Sequence, residues 1–317
     1  MSCEINNNFS TVTSIGKNNL INQLEDNMKS FLDWGLLNIG GFVNVNIPTS
    51  GLNGIGYHKL RPVQEPGFSN YRVWQTVKKD WVWESGVTYN NSSPNRVSGI
   101  VVNGTGYAAP TGSGAYSYKI NYPLGRIVFN NPINSGTDIQ LSYSYRWCQV
   151  YKSSTNPWWI ELQRSTFNTD QLQTNDQGDF VISANHRVQL PCIIIEPISR
   201  MNMIPNELGS HEFRINQDVL LHVFANNASH RNDIVDIIRL QKDKVIQLYD
   251  LNKINNIYGL NYYGSIIPTG LSYCQIINDS NYQWRSCYFR EMSVMDMESL
   301  NFNLSWCTLR VTSEIII

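Results

Sequence analysis

The sequence predicts an α+β and all-β chain: an antiparallel β-sandwich in the N-terminal half, and a mixed sheet with one long flanking helix in the C-terminal half. Three patterns predict it. From Phe42 to about Lys152, aromatic and β-branched residues recur with period two and are separated by Gly, Asn, Pro and Ser. Beyond Pro157, strand-like runs alternate with a stretch of helical periodicity between Asn227 and Asn252. Near the N-terminus, Leu20, Ile21, Leu24, Met28, Phe31 and Leu32 recur at three- and four-residue spacing. These patterns divide the chain into a tail and amphipathic helix (1–41), a β-sandwich domain (42–155) and an α+β domain (156–317).

The first helix is expected to stop at Gly40-Gly41, since glycine takes the left-handed conformation that ends helices. It packs either on its own chain or on a neighbour. In the front half, strands are expected at Trp81–Trp83, Gly99–Val102, Tyr116–Ile120, Gly125–Phe129 and Leu141–Trp147. In the last of these Leu141, Tyr143, Tyr145 and Trp147 face one way, and Ser142, Ser144 and Arg146 the other. Further strands are expected at Val188–Ile195, with Pro191 marking an edge or bulge, and at Asp218–Phe224, Trp284–Glu291 and Phe302–Val311. The long helix is expected to begin at Ser229 as N-cap and to run toward Leu248. Asp233 and Asp236 lie near its start and Lys242 and Lys244 near its end, as the helix dipole favours. Ile234, Ile237, Ile238, Val245 and Leu248 form its buried face.

The charged fraction is 15%, against roughly 25% in typical soluble proteins. Asn, Ser, Thr and Gln supply the polar surface instead. A formal net charge of −1 gives no pull toward nucleic acid or an acidic membrane. No apolar run approaches a membrane span, and the first residues carry no secretory pattern, so a cytoplasmic origin is expected. The six cysteines, Cys3, Cys148, Cys192, Cys274, Cys287 and Cys307, lack CxxC spacing and read as reduced core thiols.

Motifs for chemistry are sparse. His58, His186, His211, His222 and His230 show no metal-site spacing, and His222 reads as a satisfied sheet residue. The G-x-S-x-G of serine hydrolases is missing, and Gly104-Thr105-Gly106 and Gly112-Ser113-Gly114 read as turns between strands. Glu161, Glu196 and Glu207 are generic candidates for a glycosidase pair. Trp81 and Trp83 fill a core or, alternatively, stack on sugar rings, while one of Trp158 and Trp159 sits at a domain junction or subunit contact. No catalytic residue, metal or cofactor is assigned.

From Arg187-Val188-Gln189-Leu190-Pro191 through Ile195-Glu196, then Asn206-Glu207-Leu208-Gly209, Asp218–Phe224 and the capped helix, the order of elements resembles the neck and tail-terminator proteins of tailed bacteriophages. The resemblance covers roughly 180–312. Upstream, Ile120–Phe129 and Gly136–Leu141 are similar to the small β-sandwich modules of phage virion proteins. The front half departs from such terminators, which are compact single domains. The resemblance implies a non-enzymatic virion protein that ends tail-tube growth as a hexameric ring. Its partners would be copies of itself and neighbouring neck, connector, tail-tube or sheath proteins, with no membrane and no sequence-specific nucleic acid. Arg231, Asp233 and Arg239 would then be polar contacts near the ring interface, with a solvated helix face as the alternative. The other functional reading is a carbohydrate- or receptor-binding sandwich of a tail or baseplate.

Overall fold

The computed structural model describes residues 20–48, 56–63, 70–109, 111–155, 159, 188–205, 212–254, 259–268, 270–301 and 303–316. Helix α1 spans Leu20–Asn38. Gly40, at φ +87°, ends it, and the Gly41 amide donates to the Leu36 carbonyl at 2.8 Å. Leu24, Met28, Leu32 and Leu36 enter a core of the same chain, so the helix packs in cis. Its polar side is buried too. The Asn27 side chain donates to Tyr249 O at 3.0 Å and accepts from Tyr249 N at 2.8 Å, pairing with an extended backbone as a strand would. Gln23 accepts from Leu251 N, and Ser30 Oγ lies 2.8 Å from the Tyr249 hydroxyl. Ile21, assigned to the apolar face, points outward instead.

Nine short strands follow: β1 Phe42–Val45, β2 Arg61–Pro62, β3 Val73–Gln75, β4 Gly99–Val102, β5 Thr105–Ala108, β6 Tyr118–Asn121, β7 Arg126–Phe129, β8 Ile139–Gln140 and β9 Tyr143–Arg146. They form a four-stranded sheet in the order β2-β3-β7-β6, a three-stranded sheet β5-β4-β8 and the pair β1-β9, all antiparallel. Asn103 and Gly104, both at positive φ, make the two-residue turn between β4 and β5, as that hairpin geometry requires. Trp74, Trp81, Phe129 and Tyr143 dominate the core that these sheets share.

Three expectations change here. Trp81–Trp83 makes only a bridge from Trp81 to Tyr145, with the Val82 amide donating to Ser144 O, and the Trp83 amide donates to the Glu84 carboxylate. Tyr116 closes a 3₁₀ turn, and the strand begins at Tyr118. Leu141–Trp147 breaks after β8, and its polar members do not face water: Ser144 is 0% exposed and Arg146 5%.

The remaining elements are β10 Gln149–Lys152, β11 Cys192–Pro205, β12 Phe213–Ala225, α2 Ala228–Arg239, β13 Val245–Tyr249, α3 Tyr273–Asn278, β14 Gln283–Asn301 and β15 Leu304–Ile316. Six of them form one mixed sheet ordered β10-β11-β12-β15-β14-β13, in which only β10 and β11 run parallel. Register irregularities in β11, β13 and β14 mark bulges, which add twist and curl the sheet. Alternate residues such as Ile193, Leu221, Leu309 and Phe289 meet α1 and α2 on one face. Pro191 precedes β11 and lies outside the strand, so β11 continues past Ile195 to Pro205.

Helix α2 is shorter than its periodicity suggested. Asn227, not Ser229, is the N-cap, its side chain accepting from His230 N at 2.8 Å. The helix ends at Arg239, so Lys242 and Lys244 lie in the following turn. Both Val245 and Leu248 belong to β13; Leu248 shares a core with α2, whereas Val245, expected on the buried face, is 57% exposed.

Candidate functional site

The six-stranded sheet carries polar chemistry on the face away from α1 and α2. Neighbouring strands bring Glu196, His222 and Thr308 together: His222 Nε2 lies 2.7 Å from Glu196 Oε2, and Nδ1 lies 3.0 Å from Thr308 Oγ1. The Trp159 ring lies over the imidazole at 4.3 Å between centroids. One step along the sheet, Arg310 Nη2 donates to Asp218 at 2.5 Å, and Thr312 Oγ1 donates to the other Asp218 oxygen at 2.7 Å. Glu314 draws Arg214 and Arg290 to 3.9 and 3.6 Å. Each acid here faces a base, so the clusters hold the strand faces in register.

The sheet's flanks are less complete. β13 pairs with β14 only through Gln283–Tyr288, and the last backbone bonds to that side are made by Phe289. From Arg290 to Asn301, β14 has β15 on one side and, among the described residues, no strand on the other. Val294, Met295 and Met297 are exposed there, Met295 by 60%. The stretch contains neither Lys nor Pro, which commonly blunt a free edge, although three bulges interrupt it. On the opposite flank, β10 pairs with β11 only as far as Ile195. Met203 and Ile204 lie exposed further along β11, between the irregularity after Pro197 and the strand end at Pro205.

A third cluster lies between α1 and the short strands. Arg146 reaches Asp80 at 3.1 Å, Glu84 in a closer contact, and Asp33 of α1 at 3.8 Å, while Lys29 holds Asp33 at 2.5 Å. Burial lifts the Glu84 carboxyl above the usual range, outweighing the pull of Arg146. Its arrangement ties α1 to the 80–84 segment and β9.

The residues singled out from sequence separate. Arg231 is 7% exposed and bound within the chain: Nη1 donates to Glu298 O at 2.9 Å, on the free stretch of β14, and the guanidinium also reaches Asn232. Asp233 and Arg239 are exposed on α2. Trp159 is buried among Phe224, Cys192 and Ile194, and Trp158 lies outside the described residues, as do Glu161, Glu207, His186 and His211. Trp81 and Trp83 are core residues, which removes them as a sugar-stacking platform. His230 meets the edge of Trp147. The described cysteines are free, and burial raises the thiols of Cys287 to about 12 and Cys307 to about 11, which keeps them protonated and unreactive.

Sequence reading missed the Arg146 cluster and the free flank of β14. The acids around Arg146 come from α1 and residues 80–84, far from it in sequence, and pairing extent is likewise a property of distant partners. The one available signal was Val294-Met295 and Met297 in a run with no Lys or Pro. No protein-family model matches this chain, and no curated protein matches it in sequence. Among the described residues no helix is long and apolar enough to cross a membrane.

Proposed function

We propose that this chain is a non-enzymatic structural subunit of a bacteriophage virion. It forms a ring, as a hexamer, at the head-to-tail junction or tail end, and there caps the tail tube and joins it to the capsid connector. The observation that carries the assembly part is the flank of β14 that has no strand beside it among the described residues, where Val294, Met295 and Met297 are exposed. Such an edge is a liability for a monomer and an adhesive for an assembly. Asp233 and Arg239, exposed on the helix beside it, would add polar contacts, and Arg231 would shape the edge from within. The virion placement rests on the resemblance in element order.

In this reading strands β1 to β9 form an antiparallel sandwich module, its four- and three-stranded sheets sharing one aromatic core, while β10 joins the six-stranded sheet. The polar clusters support a structural role, since every acid in them contacts a basic side chain of the same chain. Native mass measurement of the purified chain tests the assembly. A closed oligomer of one stoichiometry is expected, and a strict monomer at high concentration that never enters particles would overturn the reading.

A further inference from the structure

We propose that copies of this chain join head to tail through the sheet, the β14 edge around Met295–Ser299 of one copy taking the end of β11, Met201–Pro205, of the next. This rests on the assembly reading above and names its interface. The topology permits it. β11 and β14 flank the long strands β12 and β15 on opposite sides, and three successive antiparallel pairings leave β11 antiparallel to β14. A β14 edge therefore meets the next copy's β11 in antiparallel sense, and the sheet continues from copy to copy.

The lengths agree. The bulges of β14 leave a straight run at Asp296–Ser299, and β11 is regular from Met201 to Pro205. The two free stretches lie toward opposite ends of the sheet, because Met203 is level with Ile215 and Ile315, and Met297 with Cys307. Pairing them staggers each copy against the next, as a closed barrel of tilted strands requires. A heterologous contact of this kind closes into a ring when its rotation divides the circle.

Side chains favour β11 over a second β14 as the occupant. The β14 stretch exposes Glu291, Asp296 and Glu298 against the single cation Arg290, so two such edges would repel. The β11 end exposes Met203 and Ile204, with Arg214 across from Ile204 on β12. Exposed apolar side chains then meet Met295 and Met297, and the β11 end, Met201–Pro205, brings no acid of its own against the acidic rim.

The test uses the full chain with Met203→Cys and Met295→Cys, separately and together, treated with a short bis-maleimide and run under denaturing conditions. The double variant should give a ladder of covalent oligomers ending at the ring, and each single variant only the wild-type background. Dimers from Met295→Cys alone would show β14 pairing with itself and overturn the proposal. So would an uncrosslinked double variant whose native mass equals that of the wild-type oligomer. A second pair of variants reads the charge: Met203→Glu should raise the concentration for half-assembly by about tenfold or more, and Met203→Lys should leave it lower than Met203→Glu does. Equal effects from the two would overturn the charge argument and the interface with it. A monomeric wild type would instead remove the assembly reading itself.

Discussion

The short-strand region and the six-stranded sheet are stabilised in different ways. In the first, strands of two to four residues make few ladder bonds, and large aromatic side chains supply the buried area: Trp81 packs on Tyr143 at 5.0 Å and edge-on to Tyr122 at 6.4 Å. In the second, strands of up to 19 residues share a mostly aliphatic core under two helices. The long strands β11 and β14 carry stretches that, among the described residues, have no strand on their outer side. The first region is held by a few anchors, and the second by many small contributions with edges to spare.

The largest expected effect breaks the contrast at one anchor. Trp81→Ala should cost about 3–5 kcal/mol, since it opens a cavity and removes the indole bonds to Thr76 and Lys78 O, whereas Leu309→Ala in the aliphatic core should cost about 2–5 kcal/mol. Denaturant unfolding of both variants checks this, and a smaller loss for Trp81→Ala would remove the distinction. Arg146→Ala, which leaves Glu84 and Asp33 buried without their guanidinium, should cost about 3–5 kcal/mol by the same measurement.

The same cluster has a pH signature. Because the folded Glu84 carboxyl is raised above its unfolded value, its contribution is fully present below the ordinary carboxylate range and is lost as pH rises through the folded value. Melting curves from pH 4.5 to 7.5 should show wild type losing stability relative to Glu84→Gln; a parallel course for the two would contradict this.

Smaller effects sharpen the local account. Asn227→Ala should lower stability by about 1 kcal/mol and Ser229→Ala by much less, as the cap geometry dictates. The solvent-exposed pair of Lys59 and Asp138, at 3.2 Å, should contribute under about 1 kcal/mol, so Lys59→Ala tests the low end of the scale.

What the sequence made legible was local. The stop of α1 at Gly40 and the alternating halves of β12 and β15 follow from near neighbours along the chain, whereas the turn read at Gly104-Thr105-Gly106 falls at Asn103-Gly104, with Thr105 and Gly106 in β5. Other features depend on partners far away. Asn27, Gln23 and Ser30 lie outside the apolar pattern of α1, and nothing near them in sequence shows that Tyr249 and Leu251 will need their polar atoms. The partners of Ser144 and Arg146 are distant in the same way. Leu248 matched a helical period by accident of a turn that brings α2 and β13 to one core, and Val245 matched it although it lies exposed. Of the candidate site, the exposure of Asp233 and Arg239 was readable from amphipathicity, whereas the unpaired length of β14 was not.

Amide hydrogen exchange across β14 tests the assembly claim most directly. In the concentrated, assembled protein, the edge-facing amides of 290–301 and of 201–204 should exchange slowly, and on dilution to the monomer they should become fast while the β12 and β15 core stays protected. Fast exchange of both edges at every concentration, alongside an intact oligomer, would contradict the account.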